Sequence, residues 1–288
     1  MAFNYEKYLR MDKIPHLWCP GCGIGMVLKA LLRAIDRMGW DKNDVAFVSG
    51  IGCTSRGPGY VDFNTLHTTH GRALTFATGI KLVQPAKHLI VFSGDGDATA
   101  IGGNHFIHAC RRNIDITMII VNNNIYGMTG GQHSPTTPLG SKASTTAYGN
   151  IDPSFDICKL AESAGATYVA RSIVKKGKIL ENYIFKGFSN KGFSVIEAVS
   201  NCHTQYGRKN KMSDPVQLIN WIASREIPLL KAKKMKAEEL KNKVITGEFV
   251  TPDMDFSEWR HYNRSKTEYC EAYEGVQNIA QGKEKVTS

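Results

Sequence analysis

Two groups of polar residues stand at the ends of apolar runs and carry oxygen atoms that suit a metal ion. The segment 94–97 reads Gly-Asp-Gly-Asp, and Asn123 follows Asp95 by 28 positions, at the end of another apolar run. Mg²⁺ prefers oxygen ligands, and proteins usually hold it with one or two side chains together with substrate phosphates. Glycines let the backbone approach an anion, and a helix beginning near Thr99 would point its positive end there. The pattern predicts a Mg²⁺ and diphosphate site; the alternative is a pair of polar strand-to-helix turns.

Four cysteines form a second candidate centre. Cys19 and Cys22 lie in the tight knuckle Trp-Cys-Pro-Gly-Cys-Gly, whereas Cys53 and Cys202 stand alone, 31 and 180 positions after Cys22. Only a folded domain could bring them together, and four thiolates can hold a four-iron, four-sulfur cluster. Zinc and unliganded thiols are the alternatives, because such knuckles are common in zinc ribbons. The remaining cysteines are interpreted as spare thiols: Cys110, Cys158 and Cys270.

Composition limits the class of protein. With 288 residues and 42% hydrophobic content, the chain can bury a substantial core. No apolar run approaches the roughly 20 residues that span a bilayer, and the N-terminus lacks an apolar signal segment, so we expect a cytoplasmic protein without a membrane anchor. The net charge of +10 is not accompanied by a basic stripe interleaved with aromatics, so we expect an acidic protein partner rather than nucleic acid.

Apolar periodicity predicts alternating helices and strands. Because the strands are apolar throughout, the alternation predicts an α/β fold with a doubly wound, mostly parallel sheet. Asp152 is the expected N-cap of the fourth helix, with Pro153 at its first position. The predicted helices are 24–38, 72–83, 99–111, 152–164 and 178–186, and the predicted strands are 45–49, 88–93, 115–121, 167–171 and 193–199.

The predicted topology places both candidate centres at one edge. Cys53, Asp95, Asn123 and Cys202 each follow the end of a different predicted strand. In open parallel sheets, ligands bind outside the carboxyl ends of the strands. We therefore expect the metal cluster and the diphosphate to share a site.

These motifs resemble those of a known family. The spacing from Gly-Asp-Gly to Asn-Asn resembles the thiamine diphosphate motif. The chain also contains the cysteine knuckle and the motifs Gly-Ile-Gly-Cys, His-Thr-Thr-His-Gly-Arg-Ala and Asn-Asn-Asn-Ile-Tyr-Gly-Met-Thr-Gly-Gly-Gln. Taken together, these motifs resemble the beta subunit of 2-oxoacid:ferredoxin oxidoreductases over residues 15–205, and they are most similar to the 2-oxoglutarate type. The resemblance implies oxidative decarboxylation: a 2-oxoacid and coenzyme A become an acyl-CoA and CO₂, and electrons pass to ferredoxin.

The resemblance also implies a thiamine diphosphate-binding fold of the diphosphate-half type and a set of site residues. The implied Mg²⁺ ligands are Asp95, the side chain of Asn123 and the backbone carbonyl of Ile125. The implied cluster ligands are Cys19, Cys22, Cys53 and Cys202. The other implied cofactor contacts are Ile51, Gly52, His70, Gly94, Gly96, Asp97, Tyr126, Gly127, Met128 and Thr129, with Cys53 again among them.

Two further residues are candidates for catalysis. Arg56, three positions after Cys53, offers a planar cationic fork to a substrate carboxylate, although a structural salt bridge is the alternative. His70 could hydrogen-bond the diphosphate or move a proton. His67 and His70 could equally be satisfied residues at a helix start. Gly130 occupies a position where some relatives carry a substrate-facing lysine, which leaves more of the selectivity to another subunit.

The chain contains only one half of a thiamine diphosphate site, so the resemblance implies an alpha subunit that brings the activating glutamate and the coenzyme A site. We expect an (αβ)₂ heterotetramer. We divide the chain into residues 1–202, which bind the cofactor and cluster, and an extension, 203–288, that packs on the partner. The extension combines a lysine-rich stretch, 231–243, with the aromatics Phe249, Phe256, Trp259, Tyr262, Tyr269 and Tyr273.

Three alternatives to this function stay open. They are a subunit specific for pyruvate or branched-chain 2-oxoacids, a non-oxidative thiamine diphosphate decarboxylase or carboligase, and a zinc-stabilised binding protein.

Overall fold

The computed structural model describes residues 3–252, which form an α/β fold around one eight-stranded sheet. The order of strands across the sheet is β2-β1-β3-β4-β6-β5-β8-β7. The strands are β1 Val45–Ser49, β2 Asn64–His67, β3 His88–Gly94, β4 Thr117–Asn122, β5 Tyr168–Ile173, β6 Ser194–Val199, β7 Glu226–Pro228 and β8 Val244–Val250.

The helices alternate with these strands. They are α1 Ile24–Met38, α2 Ala73–Val83, α3 Gly103–Arg112, α4 Ile157–Ser163, α5 Gly177–Ser189, α6 Pro215–Ser224, α7 Leu229–Ala232 and α8 Ala237–Leu240. Two π-helical turns, Asp97–Ile101 and His203–Gly207, follow β3 and β6. Short 3₁₀ turns are Glu6–Tyr8, Met11–Lys13, Lys42–Asp44, Thr54–Gly59 and Val174–Lys176.

Six neighbouring strands, from β2 to β5 in the sheet order, run parallel, which confirms the predicted doubly wound sheet. Helices α1 and α5 pack on one face of the sheet, whereas α2, α3 and α4 pack on the other. With both faces covered, the central strands β1, β3 and β4 are buried almost throughout. The carboxyl ends of the parallel strands consequently meet at one edge.

Two predicted helix starts are wrong. Helix α4 begins at Ile157, and its N-cap is Asp156, whose side chain accepts from the backbone of Lys159; Asp152 and Pro153 lie in the preceding loop. That loop is fixed by other bonds, such as Asn150 Nδ2 to the carbonyl of Asp152 at 2.9 Å. The helix predicted to begin near Thr99 is a π-helical turn followed by α3.

Strands β2, β7 and β8 were not predicted from the sequence. Strand β8 pairs antiparallel with β5, and β7 pairs parallel with β8, so the sheet continues past residue 202. The proposed division of the chain at that residue remains a prediction. Phe249 lies in β8. The remaining aromatics of the extension, and Cys270, fall outside the described residues.

The prediction that the strands are apolar throughout is wrong, most clearly at two buried charged residues. Arg171 in β5 and Glu197 in β6 are buried and form an ion pair, Nε to Oε2, of 2.7 Å. Glu197 also accepts from Asn122 Nδ2 at 2.8 Å, and Arg171 bonds Asp156. A buried charge requires such partners. The network ties the end of β4, where the asparagine triplet begins, to β5 and β6.

No helix within residues 3–252 is long and apolar enough to cross a membrane.

Candidate active site

The predicted site residues collect at the carboxyl edge of the sheet. Gly94 of β3 pairs in register with Val121 of β4, so Asp95 and the asparagine triplet leave the sheet side by side. Asp95 and Asn123 are both buried, with 2% and 6% of their surface exposed. The structure therefore brings together the two side chains that the sequence assigns to Mg²⁺.

Asp95 is held by hydroxyl groups from the loop that follows β4. Ser134 Oγ and Thr136 Oγ1 donate to its Oδ2 over 2.5 and 2.6 Å. Burial raises the pKa of Asp95, and these two hydrogen bonds offset only part of that effect. Burial disfavours the ionised form of Asp95, and a bound cation would favour that form again. The anchored Asp95 carboxylate is therefore well suited to bind a cation.

The loop after Asn123 folds back over Gly96. Asn123 Oδ1 accepts from the backbone of Ile125 at 3.3 Å, and Tyr126 Oη donates to the carbonyl of Gly96 at 3.0 Å. A Cβ atom on Gly96 would lie 2.3 Å from the Tyr126 ring. Packing against Tyr126 is thus a reason for glycine at position 96 that the sequence did not reveal. Whether a diphosphate also lies there stays a prediction.

The four candidate cluster cysteines converge on one place. A Cβ on Gly127 would stand 3.4 Å from Cys202 Sγ and 3.5 Å from Cys53 Sγ. Thr204 Oγ1 lies 3.7 Å from Cys19 Sγ and 3.9 Å from Cys202 Sγ. The charges of the other three thiols act on Cys22. Because Gly127 belongs to the loop that begins at Asn123, this loop joins the cysteines to the Asp95 site.

Hydrogen bonds hold the knuckle in position. Trp18 Nε1 donates to the carbonyl of Cys53 at 2.6 Å, and Asn201 Nδ2 donates to the carbonyl of Gly21 at 2.9 Å. Each bond links the knuckle to a residue at or beside another cysteine. The knuckle is remote in sequence from Cys53 and Cys202, yet these two bonds fix its backbone beside the segments that carry them.

Electrostatics at the cysteines favour a cationic centre. Burial, together with the smaller effect of the neighbouring thiols, raises the pKa of Cys22 to about 12 and that of Cys53 to about 11. As thiolates they would need positive charge among them. Within residues 3–252, no group of three or more Cys, His, Asp or Glu side chains is close enough to hold a single metal ion.

Asp97 joins three segments at the same edge. Its Oδ1 accepts from Gly71 N at 2.7 Å and Ile51 N at 3.1 Å and lies 2.5 Å from His70 Nδ1, while Oδ2 accepts from Ser93 Oγ at 2.6 Å. Both carboxylate oxygens are committed to protein groups. The prediction that Asp97 lies against a diphosphate remains a prediction, but the structure gives this side chain a joining role.

His70 is oriented by this contact. With Nδ1 turned to the carboxylate of Asp97, Nε2 is the ring nitrogen left to face a ligand, and about a third of the side chain is exposed. The ring stands edge-on to Tyr126. His70 therefore lies between the Asp97 junction and the loop that covers Gly96. His67, by contrast, ends β2 as an exposed residue.

The remaining predicted residues form the mouth of the site. Arg56 is exposed, its backbone donates to the carbonyl of Cys53, and its guanidinium forms no ion pair with any residue from 3 to 252. Ile51 and Met128 are exposed apolar residues at 42% and 49%. Thr129 is exposed and bonds Gln132, and Gly52 has a positive φ of 126°. These groups are accessible to a ligand.

Sequence reasoning missed the residues that support the site. Ser134 and Thr136 belong to a Ser-Pro-Thr-Thr run that could have been interpreted as a source of hydroxyl partners, but nothing in its spacing points to Asp95. Trp18 and Asn201 each stand next to a candidate cluster cysteine, and this position is the only feature of the sequence that could have indicated their role. Cys110 and Cys158 are buried in α3 and α4, away from the four convergent thiols, in agreement with their interpretation as spare thiols.

Comparisons with known proteins agree with this geometry. Residues 50–198 match the family described as "Thiamine pyrophosphate enzyme, C-terminal TPP binding domain". The 2-oxoglutarate synthase subunit KorB of Methanocaldococcus jannaschii is 54% identical over 244 residues, which cover 85% of this chain and 90% of that relative. The subunit of the same name from Methanothermobacter thermautotrophicus is 49% identical over 267 residues, 93% of this chain and 89% of the relative.

A solved structure extends the likeness to three dimensions. It is the 2-oxoglutarate:ferredoxin oxidoreductase from Magnetococcus marinus with 2-oxoglutarate, coenzyme A and succinyl-CoA bound, with a TM-score of 0.76, 31% sequence identity and 90% coverage of each chain. The motifs quoted from the sequence, the parallel sheet and these relatives lead to the same assignment. This chain belongs to the beta subunits of the 2-oxoacid:ferredoxin oxidoreductases, among those of the 2-oxoglutarate type.

Proposed function

We propose that this chain is the thiamine diphosphate- and cluster-binding subunit of an enzyme that converts 2-oxoglutarate and coenzyme A to succinyl-CoA and CO₂ and passes the electrons to ferredoxin. One observation carries the proposal: a single loop, from Asn123 to Gly127, runs from the Asp95 site to the place where Cys53 and Cys202 meet. One loop would then hold both the cofactor that binds the reacting carbon and the cluster that accepts the electrons. This arrangement suits an oxidative rather than a non-oxidative thiamine diphosphate enzyme.

The residues fit the cofactors that this function needs. Asp95, Asn123 and the carbonyl of Ile125 would hold Mg²⁺ and, through it, the diphosphate. When bound, thiamine diphosphate supplies the electron sink for decarboxylation. His70, oriented by Asp97, would present Nε2 to the diphosphate or to a proton in transit. Ile51 and Met128 would shield the reacting atoms from water, since both present apolar side chains at the mouth.

The cysteines fit a cluster of several irons. A single zinc ion draws its thiolates to about 2.3 Å from one point, whereas iron and sulfide atoms lie between the cysteines of a four-iron cluster. Cys19, Cys22, Cys53 and Cys202 converge, yet among residues 3–252 no three of them are close enough to hold one metal ion, which supports the second arrangement. Ser55 Oγ and His203 Nδ1, each close in sequence to a ligand cysteine, are buried without a partner among residues 3–252 and could donate to cluster sulfurs.

The partners follow from the same chemistry. An alpha subunit would supply the other half of the cofactor site and bind coenzyme A, and we propose an (αβ)₂ heterotetramer. Cys19 is exposed and Leu17, two positions before it, is 74% exposed, so ferredoxin would approach the cluster from the side of the knuckle. The net charge of +10 favours an acidic partner of this kind. Reduced thiols agree with a cytoplasmic location.

The test is anaerobic dye reduction by the chain together with its alpha subunit. We expect coenzyme A-dependent reduction of a viologen with 2-oxoglutarate and much slower reduction with pyruvate. Cys53→Ala should abolish the dye reduction and the brown colour expected of a protein with an iron–sulfur cluster, whereas Cys110→Ala, which removes a buried thiol of α3, should leave both. Faster turnover of pyruvate would reassign the substrate. A wild-type enzyme that releases CO₂ without reducing the dye would overturn the electron-transfer role.

A further inference from the structure

We propose that Lys209 binds the distal carboxylate of the 2-oxoacid and thereby selects a dicarboxylic substrate. This inference rests on the proposed function and names the residue through which this chain itself contributes to specificity. Lys209 was not among the residues that the sequence singled out.

Lys209 places a cation against the chain segment that follows the Asn123–Gly127 loop. Its Nζ donates to the carbonyl of Gly130 at 3.1 Å and to Gln205 Oε1 at 2.8 Å. Gly131 has a positive φ of 89°, and a Cβ there would lie 2.6 Å from Nζ. Glycine at this position therefore makes room for the ammonium group. The lysine contacts the loop three residues beyond Gly127, the residue that lies against two of the cysteines.

The ammonium group lacks an anion. An ammonium carries three donors, and the protein occupies two of them with neutral oxygens. No carboxylate of residues 3–252 lies within 4.0 Å of Lys209 Nζ. The side chain is also only partly exposed. A partly desolvated cation gains most from a charged partner, so the third donor is suited to an anionic ligand.

The chemistry of the substrate supplies such an anion. The carboxylate next to the ketone leaves as CO₂, so an ion pair to it ends with decarboxylation. The distal carboxylate of 2-oxoglutarate persists from substrate to product, whereas pyruvate and other monocarboxylic 2-oxoacids have none. A fixed cation at the outer end of the loop would therefore distinguish the two classes. Lys209 follows Cys202 by seven residues across the turn His203–Gly207, so one short segment carries both a candidate cluster cysteine and this lysine.

The experiment compares two substrates in the assembled alpha-beta enzyme. Lys209→Met should raise KM for 2-oxoglutarate by about tenfold or more, the loss expected for one charged hydrogen bond, with little change in kcat. The kcat/KM for 2-oxovalerate, which has the same chain length without the distal carboxylate, should stay unchanged or rise. Lys209→Arg should retain most of the preference for 2-oxoglutarate.

Lys142→Met is the matched control. Lys142 is exposed, its backbone bonds Asn210 beside Lys209, and its ammonium contacts no polar group of residues 3–252. The Lys142→Met substitution removes the same charge from the same region, and it should leave the KM values for 2-oxoglutarate and 2-oxovalerate unchanged. If Lys209→Met lowers kcat/KM equally for both substrates, Lys209 only clamps the loop and the proposal is wrong.

Binding of glutarate separates this proposal from the proposed function. Glutarate has two carboxylates and no ketone, so its binding, measured by calorimetry, does not depend on turnover. If the wild-type enzyme does not oxidise 2-oxoglutarate but binds glutarate, and Lys209→Met abolishes that binding, the proposed reaction fails and the carboxylate site stands. Equal glutarate binding by wild type and Lys209→Met would overturn the carboxylate site.

Discussion

Trp18 Nε1 donates a hydrogen bond of 2.6 Å to the backbone carbonyl of Cys53. The bond joins the cysteine knuckle to the third cysteine, 35 positions away, before any metal is considered. Trp18 is buried and packs edge-on against Tyr60, so its ring has little freedom to move. The side chain would thus preorganise the site for the proposed cluster, because the protein has already fixed two of the cysteine-bearing segments relative to each other.

Removing this bond should make the cluster labile. Trp18→Phe keeps an aromatic ring in the core but leaves the Cys53 carbonyl without its donor, at a cost of about 1 kcal/mol. We expect the variant to fold, to bind less iron and acid-labile sulfide per chain, and to lose its visible absorbance several-fold faster in air.

Trp221→Phe is the control for this variant. Trp221 lies on α6, where its ring stacks on the guanidinium of Arg225, and its indole nitrogen donates no hydrogen bond within residues 3–252. It should retain cluster at the wild-type level. Equal iron content and equal bleaching rates in wild type and Trp18→Phe would show that the hydrogen bond does not support the cluster.

The sequence predicted the parallel core of the sheet because its strands are short apolar runs with buried faces on both sides. It also predicted that Cys53, Asp95, Asn123 and Cys202 meet, since strand ends in a parallel sheet share an edge. These predictions depend only on local patterns and topology. The structure confirms the fold, and it places Cys53 beside Cys202 and Asp95 beside Asn123.

The sequence failed where stability comes from tertiary contacts. Strand β2 has exposed and half-buried residues and β7 spans only three, so neither shows an apolar run. Arg171 and Glu197 are charged residues inside strands, and their mutual ion pair, with Asp156 and Asn122 as further partners, explains their burial. The hydroxyl groups on Asp95 come from a loop 39 and 41 positions away. No local pattern encodes partners of this kind.

Asp97 is expected to stabilise the fold and the orientation of His70 together. In Asp97→Asn the amide retains one acceptor for the backbone donors of Ile51 and Gly71, but the negative charge that faces His70 Nδ1 is lost. We expect the free energy of unfolding to fall by about 1–3 kcal/mol, and the affinity for thiamine diphosphate to fall with it. Denaturant unfolding and cofactor titration measure the two effects.

Asp115→Asn is the matched control for this substitution. Asp115 pairs with Lys81 at 2.8 Å and is 41% exposed, so its loss should cost less than about 1 kcal/mol. It lies at the opposite end of β4 from the site and should not change cofactor binding. An Asp97→Asn variant as stable as Asp115→Asn would contradict the view that Asp97 joins three segments.

Two glycine substitutions should have opposite effects on stability. In Gly96→Ala the new methyl group would stand 2.3 Å from the ring of Tyr126, so the ring must move and its bond to the Gly96 carbonyl must lengthen. Overpacking of this kind costs about 1–3 kcal/mol. In Gly79→Ala, within α2, no atom lies within 4 Å of the new methyl group, and we expect a gain of about 0.5–1 kcal/mol from the lower entropy of the unfolded chain.

The same pair tests whether the Tyr126 loop holds the cofactor. Displacing Tyr126 should shift Asn123 and Gly127, which lie on either side of it in the loop, so Gly96→Ala should weaken both thiamine diphosphate binding and cluster retention. Gly79→Ala should change neither. Replacing Tyr126 by Leu in the Gly96→Ala background removes the ring that the methyl group meets, and this double variant should recover part of the lost stability. If Gly96→Ala binds cofactor as tightly as Gly79→Ala, the loop is not fixed by its contact with Gly96.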